Sequence, residues 1–224
     1  MAHLSERDMQ RVIIIGNSGA ARECYWLYQD MCAGETFLTA DTEFGGFLSW
    51  KHYPADLREL SDLQKGDADS YPIRTEDRFV IGIGEPSLRK AVFEAFKAKG
   101  ASFFTLRHPI SALTESASIG EANIFQRGST VFCNAQLGNA NYLNGSVNLS
   151  HDAEVGNYNF FGPFSLVLGG VRVGDGNLVA VRSTLLPNSR IGNGNILAPH
   201  SVIYKGCGDR CRMAGNPALD IGTV

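Results

Sequence analysis

The sequence lacks several things that would each point to a class of protein. No apolar run reaches the roughly 18 residues needed to span a bilayer. The opening stretch, "MAHLSERDMQR", is polar and has no apolar centre of the kind a secretory signal needs. These two absences lead us to expect a cytoplasmic protein. Basic residues are not in excess: 20 Lys and Arg face 23 Asp and Glu, for a formal net charge of −3. There is thus no electrostatic footprint for nucleic acid. Cysteine is sparse and odd in number, at five, with no framework spacing, which fits a reducing compartment. Cys207 and Cys211 stand four apart, but the second pair that a zinc site would want is missing, so they read as plain thiols.

What is present has the balance of an ordinary globular protein: 224 residues, 44% apolar and 19% charged. The length allows one large domain or two small ones, and two different rhythms divide the chain. The first half alternates strand and helix signals. Strands are expected at "RVIIIG" (Arg11–Gly16), "FGGFLSW" (Phe44–Trp50), "RFVIGIG" (Arg78–Gly84) and "ASFFTL" (Ala101–Leu106). Helices are expected at Ala21–Met31 and Ser87–Gly100, the second with Ser87 as N-cap and Gly100 as terminator. Such alternation implies a parallel sheet with helical crossovers, a small Rossmann-like domain over residues 1–110.

The second half keeps a period of six. From Leu113 every sixth residue is large and apolar: Ile119, Phe125, Val131, Leu137, Leu143, Leu149, Val155, Phe161, Val167, Val173, Val179, Leu185, Ile191, Leu197 and Ile203. Residues six apart on an α-helix lie on opposite faces, so the period is not helical. The position four after each apolar residue never holds a large side chain. Within that column an asparagine recurs in every third hexad, at Asn123, Asn141, Asn159, Asn177 and Asn195. Three hexads therefore make one turn of a three-sided parallel β-helix. Its turns stack at about 4.8 Å, and five of them rise about 24 Å. This coil is expected over residues 111–206, with a closing segment at 207–224. The asparagine column is expected to hydrogen-bond along the stack.

With these landmarks in place, the chain resembles the hexapeptide-repeat acyltransferases, whose β-helix is left-handed. More narrowly it is similar to the bacterial sugar acyltransferases typified by sialic acid O-acetyltransferases and nucleotide-amino-sugar N-acetyltransferases. The residues that carry the likeness are "VIIIGNSGAARE", "FVIGIGEPSLRKAVFEAFKAKGASFFTLRHPISAL", "LSHDAEVG", "LVLGGVRVGDG" and "AGNPA", in family order. The resemblance implies transfer of an acyl group, acetyl-CoA being the expected donor, to an amine or hydroxyl of a sugar or nucleotide-linked sugar. It casts His151 as general base with Asp152 as its partner. Imidazole chemistry suits that task, because its unperturbed pKa of about 6.5 lets it accept a proton near neutrality. Gly169, one coil beyond His151, is cast as the oxyanion donor through its N–H.

The likeness also implies that CoA lies in a groove between chains of a homotrimer, against Phe160, Gly169, Val181 and Pro199. The sugar substrate falls to Gly16, Asn17, Ser18, Gly19, Ser49, Trp50 and Gly84. Three features depart from the pattern: Ala20 and Phe160 each stand where a histidine is usual, and the pair Ser49 and Trp50 where paired aspartates are usual. Asp41 and Glu43 lie near the latter pair, and Trp50 is a candidate to stack on a nucleotide base. "GNSGAA" is not a full dinucleotide fingerprint, so NAD is not expected. His108 reads as a domain-junction residue and His200 as an exposed corner residue. No metal is expected. Two other readings remain: a γ-class carbonic anhydrase, which would need three zinc histidines, and a β-helical scaffold without catalysis.

Overall fold

The computed structural model describes residues 9–34, 41–51 and 55–224; the polar opening at residues 1–8 lies outside them. The chain forms two compact units. One comprises residues up to Ile83 together with Ala91–Pro109, and the other comprises Gly84–Lys90 and Ile110–Val224.

In the first unit five parallel strands form one sheet: β1 (Gln10–Ile15), β2 (Thr42–Ser49), β3 (Gln64–Asp67), β4 (Asp77–Ile81) and β5 (Ser102–Phe103). Their order is β3-β2-β1-β4-β5. Helix α1 (Gly19–Ala33) follows β1, and α2 (Pro86–Ala98) follows β4. Strand β1 is the central strand and carries the unbroken apolar run Val12–Ile15, all of it buried. A parallel strand packed on both faces reads as such a run. Gly16 leaves β1 at φ +124, and a Cβ there would come within 2.5 Å of Gly82 O, so only glycine fits the crossing. Sequence reasoning missed β3 and the 3₁₀ turn Arg58–Leu63 before it, because "QKGD" carries no apolar pattern.

The expected cap of α2 needs correction. Glu85, not Ser87, serves the helix start: its carboxylate accepts from the N–H groups of Ser87 at 3.0 Å and Leu88 at 2.8 Å, and from the Ser87 hydroxyl at 2.7 Å. Pro86 takes the first helical position, where a missing N–H costs nothing. Gly100 closes the far end at φ +79, as expected.

The second unit is a three-sided parallel β-helix. Two-residue strands on each face pair in parallel with strands three hexads away, as in Thr130↔Asn148 and Leu137↔Val155. The first face runs from Ala112–Leu113 to Val202–Ile203, and the second from Ser118–Ile119 to Gly206–Cys207. The third runs from Ile124–Phe125 to the closing antiparallel pair Cys211–Gly215 and Ala218–Thr223. From Phe125 to Ile203 every hexad residue is at most 5% exposed. Leu113 and Ile119, in the first turn, are less buried.

The asparagine column is a buried ladder. Asn123 Oδ1 accepts from Asn141 N–H, Asn141 Oδ1 from Asn159 N–H, and so on to Cys211, at 2.8–2.9 Å. A second ladder, unforeseen from the sequence, stands two residues before it. There Glu121 N–H donates to Asn139 Oδ1, Asn139 N–H to Asn157, Asn157 to Asp175, Asp175 to Asn193 and Asn193 to Asp209, at 2.7–2.9 Å. Its donors point up the stack, whereas those of the first point down. The last step of each ladder falls two short of three hexads, so the final turn is the tightest.

Candidate active site

His151 and Asp152 occupy the corner between Asn148–Leu149 on the first face and Glu154–Val155 on the second. Asp152 is in the left-handed region (φ 58), which turns the chain. Stacking fixes the corner from both sides. Asp152 N–H donates to Cys133 O at 3.1 Å, and His151 O accepts from Gly170 N–H at 3.1 Å.

Asp152 Oδ2 lies 2.8 Å from His151 Nδ1. Its other oxygen accepts from Asn134 Nδ2 at 3.1 Å. The hydrogen bond with His151, and then the one from Asn134, hold the Asp152 carboxyl below the usual carboxylate range. Both site side chains stand in solvent, at 64% and 58% exposure. An ionised carboxylate can only accept, so Nδ1 carries the hydrogen of this bond. Nε2 has no hydrogen-bond partner among the described residues.

The imidazole lies on Gly169, as a turn of three hexads requires. A Cβ built on Gly169 would come within 2.6 Å of both Cε1 and Nε2. No other residue type leaves the ring where it is. Gly169 N–H donates no hydrogen bond among the described residues. The corner thus sets an unpaired backbone amide next to an imidazole whose Nε2 has no partner among the described residues.

The other expected positions fall elsewhere on the coil. Phe160 points outward from the third face, with its ring 5.2 Å from that of Tyr142 and its edge 3.3 Å from a Cβ built on Gly84. Gly84 and Phe160 are therefore brought together. Val181 and Pro199 stack at the corner between the third and first faces, where His200 N–H donates to Val181 O at 3.0 Å. That corner and the His151 corner flank the first face on opposite sides. His200 is an exposed corner residue, as expected.

Arg89 was not foreseen. It is fully buried, donates from Nε to Ala140 O at 2.8 Å, and lies 5.5 Å from the Tyr142 ring centroid. The signal was there: Arg89, Val92, Phe93 and Phe96 form the buried stripe of α2. A crevice of about 570 Å³ also went unforeseen, lined by Lys90, Tyr158, Asp175, Leu178 and Ile196 among others.

In the first unit, Gly16 to Gly19 join β1 to α1 at the carboxyl edge of the sheet, where such sheets bind ligands. Ser18 caps α1 without a side-chain bond. Asn17 is 2% exposed, and its Oδ1 has no partner among the described residues. Its carbonyl accepts from Asp56 N–H at 2.7 Å, and Arg22 meets the Asp56 carboxylate at 3.2 Å. Ser49 Oγ donates to Gly66 O and to Asp67 Oδ2, both at 3.2 Å. Asp67 thus puts a carboxylate at this edge that the sequence reading missed. Asp41 and Glu43 sit at the opposite, amino end of β2, where Gln10 N–H donates to Asp41 O and Glu43 pairs with Arg11.

The base-stacking expectation for Trp50 is corrected. Its side chain is 3% exposed, with the ring 6.4 Å from Phe96 and Lys51 Nζ 5.0 Å from its centroid, so it offers no open face. His108 is buried, with Nε2 3.3 Å from Asp30 Oδ2.

Among the described residues no three His, Cys, Asp or Glu side chains converge as a metal site. Burial, reinforced by the Cys211 thiol, pushes the Cys207 thiol up to about 12. No helix among the described residues is long and apolar enough to cross a membrane.

The sequence matches no protein-family model and no curated protein sequence. Solved structures do match. PerB from Caulobacter crescentus, in complex with CoA and GDP-perosamine, is 25% identical over 94% of this chain and 97% of its own, with a TM-score of 0.81. A mutant of perosamine N-acetyltransferase from Caulobacter crescentus, with the same two ligands, is 22% identical over 94% and 96%, with a TM-score of 0.82. The acetyltransferase domain of PglB from Neisseria gonorrhoeae is 17% identical over 95% and 100%, with a TM-score of 0.82. Along nearly its whole length, the chain has the fold of these acetyltransferases.

Proposed function

We propose that the protein transfers the acetyl group of acetyl-CoA to an amino group of a nucleotide-linked sugar. The observation that carries this reading is the His151 ring seated on Gly169, with Nδ1 held by Asp152 and Nε2 free. The structural neighbours supply the substrate class, since the Caulobacter enzymes hold CoA and GDP-perosamine and the PglB domain has been solved with acetyl coenzyme A.

Nε2 removes a proton from the acceptor amine as its nitrogen attacks the thioester carbonyl carbon. The carbonyl π bond becomes an oxyanion, which Gly169 N–H steadies. Collapse re-forms the carbonyl, breaks the C–S bond and expels the thiolate, which takes the proton back from Nε2. Asp152 keeps its negative charge throughout and balances the transient imidazolium.

We read residues 1–110 as a Rossmann-like acceptor domain, 111–206 as a left-handed catalytic coil and 207–224 as its closure, acting in the cytoplasm. The sugar nucleotide binds at the Gly16–Gly19 edge, with Asp67 in reach of the carboxyl ends of the strands. The donor lies along the coil and the working unit is a homotrimer. Two observations support that assembly. The His151–Gly169 edge and the Val181–Pro199 edge belong to different corners, so a donor touching both sets needs two copies. The exposed apolar side chains Phe132, Phe164 and Leu166 lie on or beside the face between those edges.

The test is release of thiol from acetyl-CoA against a panel of nucleotide amino sugars, with His151→Ala in parallel. We expect the variant to lose about 10²–10⁴-fold in turnover with its melting temperature kept. Near-normal turnover in the folded variant refutes the reading.

A further inference from the structure

The support of His151 extends one coil further than Asp152. We propose that Asn134 is a positioning residue for acetyl transfer, locking the Asp152 carboxylate in the one rotamer that serves His151; this rests on the reading of His151 as the general base. Asn134 Nδ2 donates to Asp152 Oδ1 at 3.1 Å, while Asp152 Oδ2 meets His151 Nδ1 at 2.8 Å. The amide must present its nitrogen there, because its oxygen would face the carboxylate acceptor to acceptor.

The lock matters because Asp152 is exposed. A short carboxylate on a solvated corner turns through a broad, two-fold torsion and spends time away from the ring. With Oδ1 engaged by Asn134, Oδ2 is kept for the imidazole. Asn134 is itself anchored, for it sits in the left-handed region at φ 58 and its N–H donates to Ser116 Oγ at 3.1 Å. Ser116, Asn134 and Asp152 climb the same corner, one turn apart. The next residues of that column are Gly170 and Asn188, and no lysine or arginine pairs with Asp152 among the described residues.

The test compares Asn134→Gly and Asn134→Asp with the parent protein and with His151→Ala. Glycine removes the amide and tolerates the positive φ. Aspartate keeps the shape but puts a second carboxylate beside the first. Steady-state turnover is read together with the ¹⁵N spectrum of the His151 imidazole, which reports the tautomer without any substrate.

We expect Asn134→Gly to lower kcat by about three- to tenfold, the weight of one ordinary hydrogen bond, because solvent screens this exposed pair, with both KM values within about twofold. Its spectrum should move from one tautomer, protonated at Nδ1, toward a mixture. Asn134→Asp should lower kcat at least as much. Unchanged kcat and an unchanged spectrum in folded Asn134→Gly overturn the proposal, and an inactive His151→Ala then leaves the general-base reading standing. A fall in kcat without a change of tautomer marks a merely structural role and overturns it too. An active His151→Ala overturns the general-base reading, and with it this one.

Discussion

Replacing Gly169 by alanine tests the site at its tightest contact. The new methyl carbon would fall 2.6 Å from His151 Cε1 and Nε2 and 3.3 Å from Nδ1. Carbon atoms pack at about 3.5–4.0 Å, so the ring must retreat by roughly 1 Å. Gly169 is not at a positive φ, and alanine meets no backbone penalty there. The ring is 64% exposed and swings outward with little loss of packing. The swing draws Nδ1 from Asp152 and Nε2 from the space over the Gly169 amide.

A displacement of that size costs about 10²-fold in turnover. Stability should change by less than about 1 kcal/mol, or roughly 2–4 °C in Tm for a chain of this size. The assay is thiol release under saturating donor and acceptor, paired with thermal unfolding. Gly176→Ala is the control: it sits at φ +66 on the corner between the second and third faces, not on that of His151, and should lose stability while its folded fraction keeps its turnover. A Gly169→Ala protein with turnover within threefold of the parent would refute the reasoning. So would a large fall in Tm.

Asp152→Asn removes the acceptor that fixes the His151 tautomer, and turnover should fall by roughly 10–100-fold. The hydrogen bonds with His151 and Asn134 hold the Asp152 carboxyl below the ordinary range, so it is still charged where a free aspartate begins to protonate. A carboxylate beside a general base favours the charged form of that base, so the acid limb of kcat/KM should move to lower pH in Asp152→Asn, as a pH–rate profile would reveal. Asn159→Ala breaks the buried ladder, orphaning the N–H of Asn177 and leaving Gly174 O without its 3.0 Å donor. A loss of about 2–4 kcal/mol in denaturant unfolding is expected. Arg89→Ala vacates a fully buried site and leaves Ala140 O without its donor, for a comparable loss in the same experiment.

The coil was legible because its signal is additive. Each hexad repeats one steric demand, large inside and small at the corner, and sixteen repetitions leave no other period. The second ladder escaped because its column mixes Asn139, Asn157 and Asn193 with Asp175 and Asp209, and identity rather than acceptor chemistry was followed. His151 and Gly169 were legible as a pair because three hexads return the chain to one corner. Asn134 was not, since its partner is fixed by a rotamer and not by spacing. In the first unit, β1 and β4 announced themselves by buried apolar runs, whereas β3 is an edge strand of polar residues held by its neighbour. Trp50 was misread because a single aromatic at a strand end carries no sign of which side it faces.

The two opposed ladders make the length of this molecule a quantised property. Every rung hands one amide forward and receives one from behind, so a cut or splice of arbitrary size leaves orphaned donors on both sides of the scar. Whole turns, by contrast, can be removed or added as units, and a turn excised beyond Asn177 would shorten the column while His151 and Gly169 kept their seats.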